Sequence, residues 1–130
     1  MWHPAHSTAK FIRVRTQFEG YHYYPDASKV DPRIEFLEHK HRHLFKVEVK
    51  IEVVDHNREL EFFLVKWKLQ EMIDKFLANT EIKTYSCELI GEYILHDLIL
   101  EYGGSRIYEI TVSEDGESDG IVYYDPLENH

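Results

Sequence analysis

The sequence predicts an α+β domain, a four-stranded antiparallel sheet with two helices on one face in the order ββααββ. Three observations carry this reading. Apolar and polar residues alternate almost without fault over 44–54, the mark of a strand buried on one face only. The period then switches to helical over 62–77. A second helical stretch is bounded by a capping serine and a glycine pair, and two short alternating runs follow it.

Residues 10–19 carry Ile12, Val14, Thr16 and Phe18 at alternate positions, with Arg13, Arg15, Gln17 and Glu19 between them, which predicts the first strand. Residues 21–40 contain Pro25, Pro32 and several aspartates, and read as a long loop. In the second strand Phe45, Val47, Val49, Ile51 and Val53 share one face, while Lys46, Glu48, Lys50 and Glu52 share the other. Asp55-His56-Asn57-Arg58 supplies turn residues after it. Phe62, Val65, Leu69, Met72, Ile73 and Phe76 then fall at helical spacing. The second helix should begin at Ser86, with Glu88 favoured in its first turn, and end at Gly103-Gly104. Residues 106–114 predict a third strand and 120–124 a short fourth, joined through the turn-rich Asp115–Asp119 segment. A sheet of this kind has open edges, so association into a closed homo-oligomeric barrel is expected.

With 130 residues, 43% hydrophobic and 14% aromatic, the chain suits one domain spanning 1–130 with a real core. Fifteen basic against 24 acidic residues give a net charge of −9, a field that repels nucleic-acid backbones. No nucleic-acid partner is expected. No apolar run approaches the roughly 20 residues of a membrane span, so no membrane partner is expected either. Met1-Trp2-His3-Pro4 lacks the blocks of a signal peptide, and one cysteine, Cys87, allows no internal disulfide. A cytoplasmic setting is the expectation.

Nine histidines are unusual, and five of them fall between His22 and His56. His41 and His43 stand two apart at the start of the second strand, so an extended chain projects them to one side, in phase with Phe45 and Val47. His22 is in phase with Phe18 if extension continues through Gly20. Three imidazoles aimed at one point, with a fourth position open, is the donor set of a catalytic zinc site. His39 is an alternative third ligand.

These residues also carry a resemblance. Phe18-Glu19-Gly20-Tyr21-His22 is similar to the F-x-A-x-H segment of the 6-pyruvoyl- and 6-carboxy-tetrahydropterin synthases. His41-Arg42-His43-Leu44-Phe45-Lys46-Val47-Glu48-Val49 resembles their H-G-H-x-Y-x-V-E-V. Leu60-Glu61-Phe62, Ser86-Cys87-Glu88-Leu89 and Val112-Ser113-Glu114 resemble further segments of that family, in the right order.

The resemblance implies a T-fold assembled as a homo-oligomer, a hexamer or another barrel, with zinc held by His22, His41 and His43. It implies that Glu114 grips the ring of a pterin or purine-like small molecule. It also implies that Glu38, three residues before His41, moves protons, as in a subgroup that uses glutamate in place of the family cysteine. The other readings are a solvated loop acid for Glu38 and a turn-flanking acid for Glu114. Two family features have no match, since Leu37 stands where the cysteine belongs and Ile82-Lys83-Thr84-Tyr85 replaces an Asp-His pair. The function implied is a zinc-dependent lyase acting on a reduced pterin of the dihydroneopterin triphosphate type. The alternatives are a pterin- or purine-binding protein without catalysis, and another T-fold activity on a purine or deazapurine.

Overall fold

The computed structural model describes residues 8–54, 59–78 and 84–128, apart from the side chain of His22. The strands are β1 (Lys10–His22), β2 (His41–Val53), β3 (Tyr108–Glu114) and β4 (Ser118–Tyr124). They form one antiparallel sheet in the order β1-β2-β3-β4. Helix α1 (Ala27–Val30) is a single turn, whereas α2 (Phe62–Leu77) and α3 (Cys87–Tyr102) are long.

The alternation in β2 does what it predicts. Phe45, Val47, Val49 and Ile51 are all buried, and register sets them between Ile12–Phe18 of β1 and Tyr108–Glu114 of β3. Helix α2 adds Val65, Leu69, Met72, Ile73 and Phe76 to this layer, and α3 adds Cys87, Ile90, Ile94 and Leu98. Both long helices thus cover the same sheet face, α2 over β1 and α3 over β3 and β4. Burying one such aliphatic side chain contributes about 1.5–3 kcal/mol relative to leaving it in water. The opposite face is polar, where Glu48 bridges Arg13 and Arg15 at 2.8 and 3.0 Å.

Side-chain bonds mark where each helix starts and stops. The Glu61 carboxylate accepts from the N–H groups of Phe63 and Leu64 at the start of α2, and the Ser86 hydroxyl accepts from Leu89 N–H at the start of α3. Gly103, at φ 100, ends α3 where a side chain would be strained. The Tyr108 and Tyr124 hydroxyls then donate to the Gly103 and Gly104 carbonyls, at 2.6 and 2.8 Å, and tie the helix end to the sheet. On the far side of the fold Arg106 reaches both the Glu52 carbonyl and the Glu59 carboxylate, joining the chain after β2 to the chain before β3.

Several boundaries differ from the sequence expectation. β1 runs three residues further, through Gly20 to His22, because pairing with β2 continues to the His22–His41 pair. The rings of Phe18 and Phe45 cover the open side of Gly20. The expected loop over 21–40 holds α1 and a 3-10 segment, Pro32–Glu38, started by the Asp31 carboxylate accepting from Arg33 N–H. β3 starts at Tyr108 rather than 106, and β4 at Ser118 rather than 120. The turn expected over 55–58 lies outside the described residues, as do residues 1–4.

The solvent side of α2 is unusual for a surface helix. Phe63, Leu64 and Trp67 are 63%, 61% and 58% exposed there, beside Phe62.

Candidate functional site

The site grows from three strand ends that meet. The His41/His43 end of β2 pairs with the end of β1 on one side, and Phe45 pairs with Glu114 of β3 on the other. A 480 Å³ cavity opens there, lined by His41, Glu114, Leu37, Cys87, Tyr23, Tyr24 and Tyr85 among others. That volume suits one small-molecule ring system with a side chain.

The two imidazoles stand edge to face, with centroids 4.3 Å apart. Each has an oxygen on Nδ1. His41 Nδ1 lies 2.7 Å from the His39 carbonyl, and His43 Nδ1 lies 2.6 Å from an Asp115 carboxylate oxygen. A carbonyl or ionised carboxylate can only accept, so neutral rings place their hydrogen on Nδ1 and their lone pair on Nε2. Both Nε2 atoms are buried. Rings oriented through Nδ1 and presenting Nε2 are a donor set that fits zinc. His22 is the cross-strand partner of His41 in the backbone register, where a third ligand would stand, and its side chain lies outside the described residues. Among the described residues no three potential ligands already converge. The alternative ligand His39 is exposed and serves His41 through its backbone carbonyl.

Glu114 faces the helix side of the sheet, as alternation predicts, and lines the cavity. It is half-buried, with one carboxylate oxygen 3.9 Å from His43 Nε2 and the other 3.8 Å from Cys87 Sγ. Burial and the Glu114 charge push the Cys87 thiol up to about 12, so it stays protonated at neutral pH. Cys87 is an inert wall of the cavity, at the start of α3.

Glu38 is placed differently. It does not line the cavity, and its carboxylate accepts from both the hydroxyl and the backbone N–H of Ser28, the latter at 2.7 Å. Those two bonds hold its carboxyl below the usual range. Leu37 beside it faces the cavity instead, fixed by its carbonyl accepting from Tyr24 N–H at 2.7 Å.

No family model and no curated protein matches the chain. Solved structures do. A Plasmodium falciparum 6-pyruvoyl tetrahydropterin synthase superposes with a TM-score of 0.67 at 20% identity, covering 92% of this chain and 99% of that one. The Plasmodium vivax enzyme gives 0.65 at 18% identity with the same coverage, and the Caenorhabditis elegans enzyme gives 0.61 at 15%, covering 91% and 96%. The chain has the fold of these synthases. The tetrahydropterin synthase fold therefore accounts for the order of elements, and it does so over nearly the full length of both chains.

Sequence reading missed several residues of this site. Asp115 reads as half of an Asp-Gly turn, and only cross-strand register brings it to His43. The three cavity tyrosines come from the loops on either side, where no period marks them. Ser28 sits in a stretch read as plain loop.

Proposed function

We propose that the chain is a zinc-dependent lyase acting on a reduced pterin of the dihydroneopterin triphosphate type, in pterin, folate or deazaguanine biosynthesis. One observation carries this reading. His41 and Glu114 open onto a single ring-sized cavity within a fold shared with tetrahydropterin synthases.

In this reading His22, His41 and His43 hold zinc through nitrogen. Bound zinc would act as a Lewis acid on a side-chain oxygen of the substrate. The Glu114 carboxylate accepts from two N–H groups on the ring edge, a charge-assisted pair. The tyrosines give the ring apolar faces to lie against. Glu38 moves the proton once it leaves Ser28, whose two hydrogen bonds hold it ionised but weaken it as a base while they last. A solved Plasmodium vivax synthase whose catalytic residue, a glutamate, is replaced by alanine supports a carboxylate in such a role.

A second reading keeps the ring pocket without the chemistry. Leu37 lines the cavity and Glu38 is held at Ser28, both of which favour a pterin- or purine-binding protein.

Incubation of the zinc-loaded protein with dihydroneopterin triphosphate, read by product mass, separates the two. Release of the side chain to leave a 6-hydroxymethyl-pterin is the expected result. Unchanged substrate with a clear heat of binding selects the second reading, and neither turnover nor binding rejects both.

A further inference from the structure

Asp115 is the first residue of the β3–β4 turn, directly after Glu114, and has φ 56. Aspartate and asparagine enter this left-handed region at less cost than most residues. Three bonds to the start of β2 hold it there. Its backbone N–H donates to the Leu44 carbonyl at 2.7 Å, and one carboxylate oxygen accepts from Leu44 N–H at 2.9 Å. The other oxygen lies 2.6 Å from His43 Nδ1. One side chain therefore grips a strand backbone and an imidazole together.

We propose that Asp115 is a positioning residue for the zinc centre suggested above. By accepting from His43 Nδ1–H it holds the lone pair on Nε2 and aims that atom at the metal. This inference rests on the zinc reading. His41 is oriented differently, by the backbone carbonyl of His39, so His43 is the ring whose orientation a single side-chain change can release. Through Leu44 the same carboxylate fastens the turn that follows Glu114 to the strand that carries both histidines. It thus adds a side-chain tie to the strand pairing that already sets Glu114 opposite Phe45, two residues from His43. Acceptors behind metal-bound histidines fix the tautomer and raise ligand basicity, and their loss typically weakens metal affinity by about 10–100-fold.

Asp115→Asn separates position from shape. Asparagine suits φ 56 and can still accept from Leu44 N–H, which turns its NH2 group toward His43 Nδ1. The ring must then accept at Nδ1 and carry its hydrogen on Nε2, the wrong tautomer for a ligand. Zinc affinity, measured by competition with a chromophoric chelator, should fall about 10–100-fold in Asp115→Asn. The unfolding midpoint should stay close to that of the wild type. Asp115→Gly, which accepts the same backbone without a side chain, should also bind zinc more weakly. Long-range proton–nitrogen NMR of the zinc-free wild type should show His43 protonated at Nδ1, and of Asp115→Asn at Nε2. A wild type that binds zinc, loses it in His43→Ala and keeps it unchanged in both Asp115 variants overturns the positioning role alone. A wild type that binds no zinc overturns the metal reading, and this role with it. Nδ1 without hydrogen in the wild type overturns the role whatever the affinities.

Discussion

Glu114 and Glu38 are the two acids proposed for the site, and the structure surrounds them differently. Glu114 opens onto the cavity near His43 and Cys87, where a ring edge with paired N–H donors would be received. Glu114→Gln preserves volume but turns a donor toward a donor. Calorimetry with a reduced pterin should then show binding weakened by about 2–3 kcal/mol, roughly 30- to 150-fold. Glu38 is bound to Ser28, so its participation requires the 3-10 segment to release it. Glu38→Gln should lower turnover by about 10²-fold or more while the protein keeps its fold and its zinc. The Cys87 thiol supplies a pH test. It ionises near 12 when folded against about 9 in an ordinary setting, so the unfolded chain gives up its proton first. Its contribution to stability is intact below pH 9 and is lost as pH rises from there toward 12. Urea midpoints should therefore fall more steeply between pH 9 and 11 for the wild type than for Cys87→Ala. At pH 8 the native thiol should react slowly with a disulfide reagent and quickly in denaturant.

Between elements, β4 passes close to the start of α3 at Gly120. A Cβ on Gly120 would sit 2.7 Å from Glu88 N and 2.8 Å from Cys87 Cβ, so alanine there must push strand and helix apart. Gly120→Ala should cost roughly 1–3 kcal/mol in denaturant unfolding, and it should weaken ligand binding as well because both elements wall the cavity. What the sequence revealed and what it hid divide along the same line. α2 begins and ends where its apolar period begins and ends, and the Ser86 cap and Gly103 stop of α3 are written in single residues. The histidine pair was legible for a similar reason, because alternation in one strand is a local property. Contacts between elements were not. The Asp115–His43 bond spans 72 positions, and the Arg106 bonds to Glu52 and Glu59 depend on how the segment before β3 meets the end of β2 and the chain after it. The role expected of Glu38 comes from a resemblance over E-x-x-H-x-H, and a motif of that length carries no information about Ser28 ten residues earlier.

Across the whole molecule, the sheet leaves one side of β1 and one side of β4 without a strand partner from the described residues. Unpaired backbone on both edges favours joining copies of the chain edge to edge, and a ring of copies leaves no open edge. Sedimentation equilibrium should accordingly give a small whole-number multiple of 15.6 kDa, with no appreciable monomer at micromolar concentration. A monomer throughout would detach this chain from the barrel reading while leaving its fold intact. The apolar solvent side of α2 adds an optical consequence. Trp67 lies 6.1 Å, ring to ring, from Phe63 on that side, and the chain has one other tryptophan, Trp2. With Trp2→Phe in place, Trp67 becomes a lone emitter that reports the polarity around α2 and is silent about the cavity, which it does not line. Its emission in dilute solution should be that of an indole in water, readily quenched by iodide. A blue shift and fading of the quenching as concentration rises from the nanomolar range would mean that copies cover this patch, and an unchanged band would mean that they join only at the strand edges.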